Sequence, residues 1–131
     1  MSSDNVERLR GVYDRFWRQG DWQAGGDVLA PDIEWVMSFG PMTPEAQGTR
    51  AVNAFFREWL EAWDEYEVDY ELVEVDDERI VVTGRFRGHG RGSGVETELT
   101  FGQLWQFRDG MAVRQEMFRT ADEAFAAAGR A

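Results

Sequence analysis

The chain contains no cysteine, and this absence excludes disulfides, thiol catalysis and thiolate metal sites. A single histidine excludes a zinc site built from several imidazoles. No apolar run approaches the roughly 18 residues that a membrane-spanning helix needs, and the polar N-terminus does not resemble a signal peptide. From these absences we expect a cytoplasmic protein that does not reside in a membrane and holds no metal.

Charge and aromatic content are the prominent positive features of the composition. The formal net charge of −11 argues against binding to nucleic acid or to an anionic membrane surface. Six Trp and nine Phe are more than a plain core of 131 residues requires, which favours a large apolar cavity or an oligomer interface. The length and the even composition predict a single domain, 1–131, with a core of its own.

The hydrophobic pattern predicts helices in the first half of the chain and strands in the second. The expected helices are Asp4–Arg18, a short segment from Gly20 to Leu29, a regular helix that Thr49 caps and whose apolar stripe ends at Trp63, and Ala121–Ala128. The expected strands are Ile33–Met37, Tyr66–Val75, Arg79–His89, Val95–Phe107 and Met111–Arg119, with a loop at Ser38–Gly48 over a pocket mouth. Short links between the last four strands favour antiparallel neighbours. We therefore predict an α+β fold of order αα-β-α-ββββ, in which helices pack on one face of a curved, mainly antiparallel sheet and enclose an apolar pocket.

Two glutamines interrupt the apolar faces of neighbouring strands near the C-terminus. Gln103 alternates with Phe101 and Trp105, and Gln115 lies between Val113 and Met117. Burying an unpaired amide costs roughly 1–3 kcal/mol, so both side chains need hydrogen-bond partners. A ligand or ordered water in a pocket would supply them, and so would a neighbouring backbone group.

Three segments resemble the cone-shaped α+β superfamily of nuclear transport factor two, the ketosteroid isomerases and the SnoaL-like polyketide cyclases. Tyr13–Asp21 resembles the family's first helix with its Gly-Asp end, Leu29–Trp35 the beginning of its first strand, and Phe107–Met111 its final hairpin. This scaffold carries enzymes, transport factors and binding modules, so the resemblance implies a fold and not a reaction.

The resemblance to the isomerases implies roles for individual positions. Tyr13 occupies the place of a tyrosine that donates to the substrate oxyanion, and Gln103 that of a protonated aspartate, which an amide N–H can imitate. The place of the general base holds Met37, which cannot take a proton, so a steroid-type isomerisation is not expected. His89 is the leading substitute base if it faces the pocket mouth, although strand alternation groups it with arginines on the solvent side.

The expected function is that of a SnoaL-like domain that binds a small apolar carbonyl or aromatic ligand, with isomerase- or cyclase-like acid–base chemistry by Tyr13, Gln103 and His89 as one reading. A non-catalytic ligand-binding or dimerisation module on the same fold is the alternative. The predicted ligand-binding residues are Trp35, Met37, Phe55, Trp59, Phe101, Trp105, Gln115 and Met117. No cofactor is implied, because no glycine loop follows a strand and precedes a helix.

The outer face of the sheet is the expected contact surface between copies of the chain. The family implies a homodimer, and reciprocal charge pairs across a two-fold axis could come from Arg85, Arg87, Arg114 and Glu116. The acidic run Glu61–Glu78 reads instead as a solvated face, since its spacing does not resemble a calcium loop.

Overall fold

The computed structural model describes the backbone of residues 2–37 and 45–130. Its elements are α1 (Ser2–Gln19), β1 (Leu29–Met37), β2 (Glu45–Gln47), α2 (Thr49–Glu61), β3 (Trp63–Asp76), β4 (Arg79–Gly90), β5 (Glu96–Arg108), β6 (Met111–Phe118) and α3 (Ala121–Arg130). The strands form one sheet in the order β2-β1-β6-β5-β4-β3. Adjacent strands in this sheet are antiparallel, except for β1 and β6, which are parallel. This is the predicted α+β class, and no helix within the described ranges is long and apolar enough to cross a membrane.

The segment expected to be a short second helix forms consecutive turns over residues 22–28. Its bonds span three residues, as in Ala24 N–H to the Asp21 carbonyl at 3.1 Å and Val28 N–H to the Gly25 carbonyl at 2.9 Å. Glycine costs roughly 1 kcal/mol relative to alanine inside a helix, and two glycines stand in succession here. The chain therefore leaves the turns early, and β1 begins at Leu29 instead of Ile33.

The predicted loop Ser38–Gly48 contains a short strand, because residues 45–47 pair antiparallel with β1. Residues 38–44, which make up the rest of that loop, lie outside the described residues. Gly48 precedes α2 with a φ of 90°, a left-handed value that favours glycine. Thr49 does not cap the helix; its hydroxyl donates to the Ala30 carbonyl at 2.8 Å and ties the helix start to β1.

The four long strands occur where the hydrophobic alternation predicts them, with ends shifted by up to three residues. The largest shift is at β3, which begins at Trp63 because that residue pairs with Gly90 on β4. The turn between β5 and β6 has positive φ at both Asp109 (53°) and Gly110 (79°), as a type I′ hairpin requires.

The expectation that the helices pack on one face of the sheet is wrong for α3, which packs on the face opposite α1 and α2, so helices cover both faces. A small second core unites Val81 and Leu104 with Ala124 and Ala128 of α3. Strand alternation alone groups Val81 with the solvent-facing arginines, but α3 buries it completely. The close approach depends on Gly102, where an added Cβ would lie 2.5 Å from the Thr120 carbonyl oxygen.

We expect Gly102→Ala to lower the free energy of unfolding by about 1–3 kcal/mol, the usual cost of overpacking. The Thr120 oxygen belongs to the backbone, so α3 as a whole must shift to admit the methyl group. Gly129→Ala is the control, because nothing lies within 4 Å of its Cβ position. Urea unfolding followed by circular dichroism compares the two. Equal stability of Gly102→Ala and the unsubstituted protein would contradict the close approach.

Candidate functional site

A cavity of about 240 Å³ lies between the inner face of the sheet and helices α1 and α2. Its walls are formed by Val12, Tyr13, Phe16, Trp17, Trp35, Phe55, Phe56, Trp59, Phe86, Leu99, Phe101, Gln103, Trp105 and Met117. None of these described residues is acidic, basic or an imidazole. The cavity is therefore apolar and aromatic, with the Tyr13 hydroxyl and the Gln103 amide as its distinctive polar groups.

Aromatic edge-to-face contacts hold the walls in place. The Trp35 ring meets the Trp105 ring at 5.4 Å and 80°, and it meets the Phe56 ring at 5.2 Å and 79°. On another wall, the ring centroids of Trp59 and Phe86 are 5.3 Å apart. Such contacts add about 0.5–1.5 kcal/mol each to the area buried. Collapse of the walls into the cavity would break them, so the space is maintained by the surrounding rings.

Tyr13 connects helix α1 to the sheet through two hydrogen bonds inside the cavity wall. Its oxygen accepts a bond from the Trp105 indole N–H at 2.9 Å. Its hydroxyl donates to Oε1 of Gln103. Both Tyr13 and Gln103 are buried, with 5% and 6% of their surface exposed. The hydroxyl thus accepts from one residue and donates to another within the protein.

The two glutamines that the sequence singles out are hydrogen-bonded to each other. Gln103 Nε2 donates to Gln115 Oε1 at 3.0 Å, and Gln115 Nε2 donates to the Val36 carbonyl at 3.4 Å. The sheet brings them together because Gln103 pairs with Met117 in the β5–β6 register, two residues along from Gln115. The partners that sequence reasoning left open are therefore a second side chain and a backbone carbonyl. Gln115 is fully buried behind Gln103 and does not line the cavity.

Burial raises the pKa of Tyr13 far above its usual value near 10. The hydrogen bond from Trp105 acts in the opposite direction but does not cancel the loss of hydration. Tyr13 consequently stays protonated at any ordinary pH and cannot serve as a base there.

Two cavity-lining tryptophans have indole N–H groups without a protein acceptor. Trp35 and Trp59 both have a buried Nε1 atom that finds no hydrogen-bond partner among the described residues. An unsatisfied buried donor costs about 1–3 kcal/mol, which a ligand acceptor could recover. Neither nitrogen has exposed surface, so a ligand acceptor would reach these groups only if the indole rings rotated.

The structure brings most of the predicted ligand-binding residues together. Trp35, Phe55, Trp59, Phe101, Trp105 and Met117 line the cavity. The Met37 side chain lies outside the described part of the structure, although its backbone pairs with Met117. His89 is exposed on the face of β4 opposite Phe86, so the structure does not bring it to Tyr13 and Gln103. Within the described ranges no group of three or more His, Cys, Asp or Glu is placed to hold a metal.

Six wall residues are absent from the sequence-based set, namely Val12, Phe16, Trp17, Phe56, Phe86 and Leu99. Some signals were available in the sequence. Phe56 belongs to the apolar stripe of α2, and Leu99 shares the strand face of Phe101. Periodicity assigns such residues to the interior, but it does not distinguish core filling from a cavity wall.

Comparison with known proteins places the cavity in a recognised fold. A family model described as a SnoaL-like domain matches residues 9–115, whereas no curated protein matches the chain. An NTF2-like protein of unknown function from Burkholderia pseudomallei is 29% identical, with 94% of this chain and 95% of that chain covered and a TM-score of 0.75. A provisionally named SnoaL-like polyketide cyclase from Jannaschia is 22% identical (96% and 91% covered, TM-score 0.76). TerC, co-crystallised with polyporic acid, is 24% identical (98% and 99% covered, TM-score 0.73).

The raised pKa of Tyr13 predicts a loss of stability at alkaline pH. Below about pH 10 the residue is protonated in both folded and unfolded chains, so it contributes no pH dependence. Above that pH the unfolded chain releases the proton and the folded protein keeps it, so the unfolding free energy falls by up to about 1.4 kcal/mol per pH unit. The chain has no lysine, and its three tyrosines are therefore the side chains that titrate there.

Urea unfolding between pH 9 and pH 11 measures this effect, with Tyr13→Phe as the comparison. The unfolding free energy of the variant should fall less steeply with pH. Tyr66 and Tyr70 still titrate in the variant, but the hydroxyl of Tyr13 is no longer present. Parallel stability curves for the two proteins would contradict the assignment of a buried, protonated Tyr13.

Proposed function

Since the chain belongs to the SnoaL-like domain family, we propose that it binds a small, neutral, largely apolar molecule carrying a carbonyl or similar acceptor group. The observation that carries the proposal is the composition of the cavity wall. Aromatic and aliphatic side chains surround the Gln103 amide and the Tyr13 hydroxyl, with no charged side chain among the described wall residues. Ligand pockets commonly combine such walls with a few convergent polar groups.

The cavity volume limits the size of the ligand. About 240 Å³ lies below the roughly 300–1,000 Å³ typical of small-molecule pockets. A cavity of about 150 Å³ accommodates benzene. The expected ligand therefore has one ring with substituents or two fused rings.

The lack of charged side chains among the described wall residues limits the ionisation state of the ligand. A carboxylate or ammonium ion in this cavity would lose its hydration without gaining a counter-charge from the described wall. A carbonyl oxygen needs only a hydrogen-bond donor, which the Gln103 amide in the wall can provide. The wall chemistry therefore favours a neutral aromatic ketone, enone or phenol.

Reversible binding without turnover is the reading that the wall composition favours. Isomerase- or cyclase-like chemistry needs a base close to the polarised carbonyl. The described wall residues contain no carboxylate or imidazole. The second reading, an acid–base enzyme, is supported by the Tyr13–Gln103 pair, which could polarise a carbonyl. Chromatographic analysis of the tightest ligand after long incubation separates the two readings, since only an enzyme converts it.

We expect 2-acetonaphthone, a neutral two-ring ketone, to bind saturably in equilibrium dialysis. Leu99→Trp should abolish this binding, because the larger ring occupies the cavity without removing a polar group. Glu98→Gln is the matched control on the outer face of the same strand, and it should bind as well as the unsubstituted protein. Absence of saturable binding, or binding that survives Leu99→Trp, would rule out this cavity as the ligand site.

A homodimer through the outer face of the sheet is the proposed assembly. Arg85 is exposed there, in an open groove with Asp69, Glu71 and Asp122, so a second copy could supply complementary charges. The guanidinium of Arg114 already forms ion pairs within the chain, at 2.8 Å from Glu34 and 3.6 Å from Glu116. The intermolecular pairs therefore depend on Arg85 more than on Arg114.

Light scattering after gel filtration should give twice the 15.1 kDa mass of one chain at low salt. Arg85→Glu should shift the equilibrium towards the monomer, because it places a further negative charge beside Asp69 and Glu71. Arg108→Glu, on an exposed residue at the end of β5, is the control for the change in net charge. A single 15.1 kDa species at all concentrations would contradict the dimer.

A further inference from the structure

We infer that the hydrogen-bond chain from Trp105 to Val36 runs in one direction only, so that the Gln103 amide, and not the Tyr13 hydroxyl, donates to the carbonyl of the ligand. The inference rests on the proposed function, because it describes how the same cavity receives its ligand. It makes Gln103 the ligand-contacting donor and Gln115 a positioning residue behind it.

The groups at the two ends of this hydrogen-bond chain determine its direction. The indole N–H of Trp105 can only donate, and it donates to the Tyr13 oxygen at 2.9 Å. The carbonyl of Val36 can only accept, and it accepts from Gln115 Nε2 at 3.4 Å. With a donor at one end and an acceptor at the other, each of the three side chains between them accepts from one neighbour and donates to the next.

The protons in this hydrogen-bond chain can then be assigned one by one. Tyr13 has a single hydroxyl proton, and it is directed to Gln103 Oε1. Gln103 Nε2 has two protons, one of which is taken by Gln115 Oε1 at 3.0 Å. No described side chain or carbonyl accepts the second. Because Gln103 lines the cavity, this second N–H is the amide proton available to a ligand oxygen.

The reversed direction would reassign the donor to Tyr13. The Gln103 N–H and the Trp105 N–H would then both donate to the Tyr13 oxygen, and the hydroxyl proton would be free for a ligand. Reversal also turns Oε1 of the fully buried Gln115 towards the Val36 oxygen, so two acceptors would face each other at a partly buried contact. Burying an unsatisfied acceptor is costly, so the interaction of Gln115 with Val36 excludes the reversed state.

Gln115 acts on the ligand only through Gln103. It is fully buried and contacts Val36 on one side and Gln103 on the other. The substitution Gln115→Leu removes the acceptor that keeps the Gln103 amide N–H pointing towards position 115. Gln103 can then rotate towards Tyr13, and the ligand carbonyl loses its defined donor.

The test uses 2-acetonaphthone with the 131-residue chain, and it measures both affinity and the infrared stretching frequency of the bound ketone by isotope-edited difference spectroscopy. A donated hydrogen bond lowers that frequency. Gln103→Leu should weaken binding about tenfold, the upper range for one neutral hydrogen bond, and abolish the frequency shift. Tyr13→Phe should change the affinity less than about threefold and keep the shift, because Val36 still orients both amides.

Gln115→Leu should broaden or reduce the shift while the cavity wall stays intact. Gln115→Glu is the conservative variant, since a protonated carboxyl group can donate to Val36 and accept from Gln103, and it should restore the shift at low pH. Loss of the shift in Tyr13→Phe, or its loss in Trp35→Phe with retention in Gln103→Leu, would overturn the inference.

A ligand-free measurement distinguishes failure of this inference from failure of the proposed function. In the unliganded protein, the stronger nuclear Overhauser contacts of the Gln103 side-chain amide protons should run to the Gln115 side chain. Stronger contacts to the Tyr13 hydroxyl would overturn the assigned direction. If the contacts run to Gln115 but 2-acetonaphthone does not bind, the direction is correct and both the proposed function and the donor role of Gln103 fail.

Discussion

The side chains of Gln103 and Gln115 meet inside the protein through a 3.0 Å hydrogen bond that joins β5 to β6 on the cavity side of the sheet. Without this bond Gln103 Nε2 and Gln115 Oε1 would both lose their partner, in a protein core that is otherwise aromatic and aliphatic. Their bond also extends to Tyr13 and to Val36, so that α1, β5, β6 and β1 share one polar connection. That connection ties α1 to the sheet beside the cavity, whose space is maintained by the surrounding rings.

Aromatic packing and polar pairing have different consequences for the cavity. The rings of Trp35, Trp59 and Trp105 make its walls rigid, because each is held by edge-to-face or tilted contacts with neighbouring rings. Those contacts tolerate many flat apolar molecules, since dispersion has little directional preference. The hydrogen-bond chain is directional, and it specifies where an acceptor oxygen can be satisfied. Shape and apolar surface therefore select the size of the ligand, and Gln103 selects its orientation.

Much of the fold could be predicted from the sequence, because its signals are local. Alternation along β4 and β5 and the Asp109-Gly110 turn determine strands and a hairpin whatever the rest of the chain does. The expected short second helix failed for a local reason, its Gly25-Gly26 pair, but in two other places a distant contact decided the outcome. Val81 is buried only because α3 crosses it, and Thr49 bonds to Ala30 instead of capping its helix because β1 runs beside it.

The candidate site divides in the same way. Apolar periodicity correctly assigned Trp35, Phe101 and Trp105 to the interior and singled out Gln103 as an amide among them, and the family resemblance drew attention to Tyr13. Whether an interior residue fills the core or lines a cavity depends on the spacing between packed elements, which no local pattern contains. His89 shows that residue chemistry alone does not identify a site. An imidazole suits a base, but this side chain lies on the strand face that points away from the cavity.

The sequence by itself determined the class of the fold, the apolar character of the interior and the need of two glutamines for partners, because composition, alternation and the cost of burying an amide are properties of the residues. Only the tertiary structure decided that those glutamines are each other's partners, that Gln115 lies behind Gln103, and that the chain of bonds ends on the Val36 carbonyl. The physical reason is that a hydrogen bond requires two groups within about 3 Å in the right orientation. The register of β6 against β5 and β1 produces that proximity.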